Sequence, residues 1–283
     1  MDTPRPFTLV LAGGGARGYA HAGVLRGLQH IGLKPAGLVG VSMGSIVAAT
    51  YALREDWYEA LLSVDLSGSR DPPRGLRSIG EHGAAIRRAW SYAHTTWNMV
   101  TGWGASDETV EAGRGALDEL LGRGRLEEGR VPLTVCATDL RSGTRVEFSS
   151  GPAAPAVLAS SALAGVLPPV ENGDFLLVDG VYADVAPVDI ARRMGAPVVI
   201  SVDPSQGATG ESFTNGLQVV MRAMEICHLT HAHLRIDAAD LVLRPVFNGH
   251  IDVLDFGARR ECMAAGIRVV RACRAKIERA LAQ

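Results

Sequence analysis

Lysine is almost absent from this chain of 283 residues: Lys34 and Lys276 are the two, and arginine supplies the remaining cations. We read that shortage as a bias of genome composition. The formal net charge is -2, and nucleic-acid recognition, which needs a basic face, is excluded on that ground. Cysteine is scarce. Cys136, Cys227, Cys262 and Cys273 are far apart and form no C-x-x-C, which excludes the short-spaced zinc and redox motifs and leaves buried free thiols in a reducing compartment as the expectation. No metal site is expected. No apolar run approaches ~18 residues, so no transmembrane helix is expected. The first apolar run, Phe7 to Ala12, is too short for a signal peptide. A cytoplasmic protein is therefore expected, with contact at the inner face of the membrane as a peripheral option. Aromatic residues make up 5% of the chain, so any cluster of them carries information.

Hydrophobic residues make up 47% and charged residues 20%, the balance of an ordinary globular core. Phe7 to Leu11 reads as a buried strand, Gly13 to Gly18 as a glycine-rich turn, and Tyr19 to Ile31 as a helix. Leu38 to Val41 and Gly44 to Leu53 repeat the strand–turn–helix order. That order predicts parallel pairing with right-handed crossovers. Further strands are expected over 131–139, 145–148, 175–178, 197–202 and 241–245, and helices over 153–164, 188–194, 212–236 and 261–281. Residues 66–82 read as a loop. No linker or repeat divides the chain. A single α/β domain over 1–283 is expected, with its motifs in 7–205 and a helical C-terminal region over 212–283.

Three sites carry chemistry. Gly40-Val41-Ser42-Met43-Gly44 is a G-x-S-x-G between a strand and a helix. A nucleophile there sits on a tight turn that excludes bulky neighbours, and the helix dipole favours negative charge beside it. A plain βα turn is the competing reading. Gly13-Gly14-Gly15-Ala16-Arg17-Gly18 opens the first helix, and backbone amides bare of side chains bind anions there. Beside a nucleophilic serine the anion would be a tetrahedral oxyanion. The same loop matches G-x-G-x-x-G, but a dinucleotide site needs an acidic residue after the second strand. Between Asp2 and Glu55 there is none. Asp179-Gly180 follows the strand Phe175 to Val178. A carboxylate at the C-terminal end of a parallel strand would share an edge with Ser42 and accept its proton directly. Alone, it reads rather as a turn cap.

Taken together, these motifs resemble the patatin-like phospholipase family. Ala159-Ser160-Ser161-Ala162-Leu163-Ala164-Gly165, then Pro168-Pro169, and Pro187-Val188-Asp189 after the D-G pair add to the likeness over residues 7–205. Leu254-Asp255-Phe256 before the last helix is similar to the short bacterial members. The resemblance implies a three-layer α/β/α fold with a mainly parallel sheet. It also implies a Ser–Asp dyad without catalytic histidine, and hydrolysis of fatty acyl esters of phospholipids or lysophospholipids without any cofactor. Carried over by motif, Ser42 is the nucleophile and Asp179 the base. Gly13, Gly14, Gly15 and Arg17 form or support the oxyanion hole. Acyl transfer, or lipid binding on a defunct dyad, are the alternatives. Three positions depart from the family pattern: Ala164 stands for proline, Asp184 for asparagine, and Val181 for glycine or alanine. Bulk at Val181 is expected to shift the Asp179 carboxylate.

A Ser42–Asp203–His250 triad in the α/β-hydrolase order competes with the dyad. His228, His231 and His233 lack the i, i+4 spacing of helix-borne metal ligands and are expected on a solvated face. Trp90, Trp97 and Trp103 fall within fourteen residues. They serve either a core or a lid, acyl channel or membrane contact that would bind substrate.

Overall fold

The computed structural model describes residues 4–66, 107–207 and 216–282. Trp90, Trp97 and Trp103 lie outside the described residues, as does most of the loop expected over 66–82.

The apolar runs of the sequence become strands buried on both faces. β1 (Phe7–Leu11), β2 (Gly37–Val41), β3 (Leu133–Asp139) and β7 (Val198–Val202) are buried at every position, the signature of strands with helices on both sides. β4 (Arg145–Phe148), β5 (Val170–Asn172), β6 (Phe175–Asp179) and β8 (Leu241–Leu243) complete one sheet. Hydrogen bonding links them in the path β5-β6-β3-β2-β1-β7-β8, with β4 also on β3. β3, β2, β1, β7 and β8 run parallel. β6 and β4 run antiparallel to β3.

The helices among the described residues are α1 (Tyr19–His30), α2 (Met43–Leu53), α3 (Trp57–Ser63), α4 (Asp107–Leu121), α5 (Ala153–Ser161), α6 (Val188–Arg193), α7 (Gly216–Ile236) and α8 (Arg259–Ala282). The two faces of the sheet bury separate cores. Leu9 and Leu11 of β1 and Ile200 and Val202 of β7 pack with Leu25, Val47, Leu120 and Val270 from α1, α2, α4 and α8. Val10, Val39 and Val199 point the other way, against Ile190 of α6 and Ala232 and Ile236 of α7. The result is the α/β/α layering expected. Trp57, the tryptophan outside the cluster, is buried in the first core, edge-on to Tyr51 at 5.1 Å.

Two expectations are corrected here. The strand carrying Asp179 is antiparallel to its neighbour, not parallel. In addition, α3, α4 and the short β5 occupy segments where the sequence pattern predicts no element.

Candidate active site

The antiparallel strand is what brings the two ends of the site together. One edge of β3 pairs with β4 from Val135 to Thr138. Along the opposite edge β2 pairs with Leu133 to Cys136 and stops at Val41. There the chain turns up into α2, and β6 takes over the vacated edge from Ala137 to Asp139, arriving from the other direction. β2 and β6 therefore meet end to end, and the residues at that junction are Ser42 and Asp179. The Ser42 hydroxyl donates to Asp179 Oδ2 at 2.6 Å.

Ser42 holds φ 54 and is the one non-glycine residue with positive φ among the described residues. Such backbone strain persists where surrounding contacts over-determine it. Here they are tight. A Cβ on Gly44 would overlap the Leu11 carbonyl, and one on Gly40 would lie 2.6 Å from Ser45 Cα. Only glycine at both positions lets α2 start this close to the sheet.

Asp179 is 2% exposed. Its Oδ1 accepts from the Val181 amide at 3.0 Å, its carbonyl accepts from the Thr138 hydroxyl at 2.8 Å, and its amide donates to the Ala162 carbonyl at 2.9 Å. Burial pushes its carboxyl up to about 7, against the opposing pull of the Ser42 and Val181 hydrogen bonds. A carboxylate so placed can take a proton from Ser42 near neutral pH.

The glycine loop lies beside Ser42. The Gly13 amide is spent on the Val185 carbonyl at 3.1 Å, and the Ala16 amide on Val253 at 2.8 Å. The Gly14 and Gly15 amides have no such backbone acceptor among the described residues. Gly15 has φ +54, and a Cβ there would overlap the Val253 carbonyl. Arg17 is 3% exposed and its guanidinium pairs with Glu225 of α7 at 2.7 Å. It braces the loop from behind.

Val181 does not displace the carboxylate. Its amide holds Asp179, and its side chain turns onto the glycine loop, where a Cβ on Gly13 would overlap Val181 Cγ1. Asp184 is buried, and its charge meets Arg145 at 2.8 Å, while its other oxygen accepts from the Ala186 amide at 3.1 Å. The Ala164 amide donates to the Tyr182 hydroxyl at 3.1 Å.

The competing triad finds no support in the pairing of Ser42 or Asp203. The Asp203 carboxylate is taken by Arg244 at 3.1 Å and the Ser205 amide at 3.1 Å, while the Ser42 hydroxyl donates to Asp179. His228 is half-buried rather than solvated, its ring 5.3 Å from that of Tyr182; Tyr182 reaches out to meet α7. His231 is exposed, and the His233 side chain lies outside the described residues. Among the described residues no three His, Cys, Asp or Glu side chains gather as metal ligands do. No described helix is long and apolar enough to cross a membrane. Cys136 and Cys262 are buried as expected, whereas Cys227 is exposed.

Two buried residues at the site have no role assigned by the motifs. His21, fully buried, donates from Nε2 to the Ala12 carbonyl at 2.8 Å and so ties down the strand end before the glycine loop. Burial pushes its pKa down to about 4. A lone polar residue on the apolar face of α1 was the signal available for it. Ser160, also fully buried, lies beside the Ser42 backbone.

A strained serine at a strand–helix turn, a buried carboxylate on its hydroxyl and a bare-amide loop beside both are the groups that acyl transfer through a serine requires. Comparison with known proteins gives the family. The family model described as patatin-like phospholipase matches residues 9–192, and the chain belongs to that family. It is 34% identical over 200 residues to the lysophospholipase nte1 of Aspergillus fumigatus, covering 70% of this chain and 12% of that protein. It is 32% identical over 214 residues to an uncharacterized NTE family protein of Mycobacterium bovis, covering 74% of this chain and 51% of that one. The chain thus spans about half or less of these relatives. Among solved structures, VipD from Legionella pneumophila aligns with a TM-score of 0.47 and 13% identity, over 99% of this chain and 67% of that one.

Proposed function

We propose that this protein hydrolyses fatty acyl esters of phospholipids or lysophospholipids through an acyl-enzyme on Ser42. The observation that carries the reading is the 2.6 Å hydrogen bond from the Ser42 hydroxyl to a buried carboxylate, with no histidine between them. Asp179 takes the hydroxyl proton as Ser42 Oγ attacks the ester carbonyl carbon. The negative charge that develops on the carbonyl oxygen is received by the amides of Gly14 and Gly15 and by the dipole of α2. Asp179 then gives its proton to the departing alcohol oxygen as the carbon–oxygen bond breaks, leaving the acyl group on Ser42. A water, deprotonated by Asp179, attacks that acyl carbon. Ser42 leaves with the proton, and the fatty acid is released. No cofactor enters the scheme. The intact pair weighs against lipid binding on a defunct dyad. The reading treats residues 1–283 as one domain, because β7 and β8 extend the sheet that carries the pair.

The test is a panel of phosphatidylcholine, lysophosphatidylcholine and monoacylglycerol given to wild type, Ser42→Ala and Asp179→Asn in parallel, with fluorophosphonate labelling. Both variants should lose about 10³-fold or more in kcat, and the adduct should map to Ser42. Because Asp179 must be ionised to act, kcat/KM should fall as pH drops through about 7. Turnover by Ser42→Ala at the wild-type rate would end the proposal.

A further inference from the structure

We infer that the end of α5, residues 160–162, is a two-point clip that sets the distance between Ser42 and Asp179, and that Ser160 is its positioning residue; the inference rests on the dyad reading above. The geometry starts from the junction of β2 and β6. Where β2 stops at Val41, the parallel ladder with β3 ends, and the next amide, that of Ser42, has no strand partner. Ser160 supplies one. Its hydroxyl oxygen accepts from the Ser42 amide at 3.0 Å and its proton goes to the Cys136 carbonyl at 2.6 Å. One side chain thus carries the ladder across the gap, joining the nucleophile's backbone to β3.

Two residues on, the Ala162 carbonyl accepts from the Asp179 amide at 2.9 Å. A single short segment therefore holds the backbone of both partners, one by a side chain and the other by the main chain. Ser160 is fully buried, so no water competes for either bond. Both bonds need a hydroxyl, which donates and accepts at once. Alanine can do neither. Cysteine keeps nearly the same shape, but its thiol is a weak donor and weak acceptor.

Ser42 is the strained residue of the site, at φ 54, and its position is maintained only by what grips it. Without the Ser160 bond the Ser42 amide loses its partner, and the strained turn can shift the hydroxyl relative to the Asp179 carboxylate. That loss falls on the chemical step and leaves substrate binding alone.

The experiment measures kcat and KM separately on a soluble p-nitrophenyl ester for Ser160→Ala, Ser160→Cys, Ser42→Ala and wild type, each with its melting temperature. Misplacement of a reacting group costs about 10²-fold in rate, so Ser160→Ala should lose about that in kcat with KM within about twofold of wild type. Ser160→Cys should fall between the two. Wild-type kcat in both Ser160 variants, or a loss carried by KM alone, overturns the inference. Should Ser160→Ala fail to fold, Ser160→Cys decides by the same criterion. Turnover in Ser42→Ala would instead mark failure of the dyad reading, so the two failures are told apart.

Discussion

Residues 9–192, which match the family model, and the later part of the chain contribute to the site in different ways. The first region holds every atom proposed to do chemistry: the Ser42 hydroxyl, the Asp179 carboxylate and the Gly14 and Gly15 amides. The second holds none of them, yet it shapes the glycine loop from outside. Val253 takes the Ala16 amide, Glu225 pairs with Arg17, and the Pro204 ring closes over Gly14. The dyad is self-sufficient in the first region, because β2, β3, β6 and α5 all lie there. The oxyanion loop is not. Reacting groups and their supports can therefore be perturbed apart.

The largest effect expected on the loop comes from Gly14→Ala. A Cβ there would sit 2.6 Å from Pro204 Cγ, a stiff ring that cannot swing aside. The loop must then move away from Ser42. Losing one oxyanion donor costs about 10²–10³ in kcat, and that is the loss expected, with labelling of Ser42 by fluorophosphonate slowed but still confined to that residue. Unchanged kcat would mean that Gly14 is packing and not part of the hole.

Glu225→Ala tests the support at longer range and should do less. It leaves the Arg17 cation, 3% exposed, without its carboxylate. An uncompensated buried charge is costly, although Glu225 itself is partly solvated, at 22% side-chain exposure. A fall of several degrees in melting temperature is expected, with kcat down about tenfold as the loop loosens. Glu225→Gln keeps a carbonyl for Arg17 and should recover most of both. A lower melting temperature with unaltered kcat would make the second region a scaffold only, and the comparison would lose its functional half.

The same division explains what could be read from the sequence. The Ser42 turn and the glycine loop were legible because each is a local pattern: a turn that must be tight, or amides that must be bare; Asp179, which alone reads as a turn cap, stood out only through the family resemblance. The layering was legible from runs such as FTLVL and VVISV, which admit burial on both faces. The direction of β6 was not, since a four-residue apolar run carries no sign of which way it pairs. Nor was β5, three residues long with Glu171 and Asn172 in it. α4 holds Gly113 and Gly115, which weaken its helical signal. Ser160 appeared only as part of a motif, and its function depends on a gap in a ladder that no sequence pattern announces. Val181 was misjudged for a related reason: its bulk was visible, but the direction of its side chain, onto Gly13, is a property of the fold.

The smallest effect separates the dyad carboxylate from His21, a buried group whose shift runs the other way. Asp179 takes up a proton near pH 7 in the folded chain, against an ordinary value of 3.8. Between those values the folded state binds more protons than the unfolded, so this group makes the protein more stable as pH falls. His21 does the opposite. Its folded value is about 4 against 6.5; between them the unfolded state binds more protons, and stability is lost on acidification. In wild type the two oppose one another over the same range. Asp179→Asn removes the first and leaves the second. Asparagine has one acceptor oxygen where aspartate has two, so either Ser42 or the Val181 amide loses a partner. That loss is independent of pH and moves every melt alike, which makes the slope the informative quantity. The melting temperature of the variant relative to wild type should therefore drop by about 5 °C between about pH 8 and about pH 4.5. Parallel curves would mean that the Asp179 carboxyl is not held up by burial, and the acid limb expected in kcat/KM would have to come from another group.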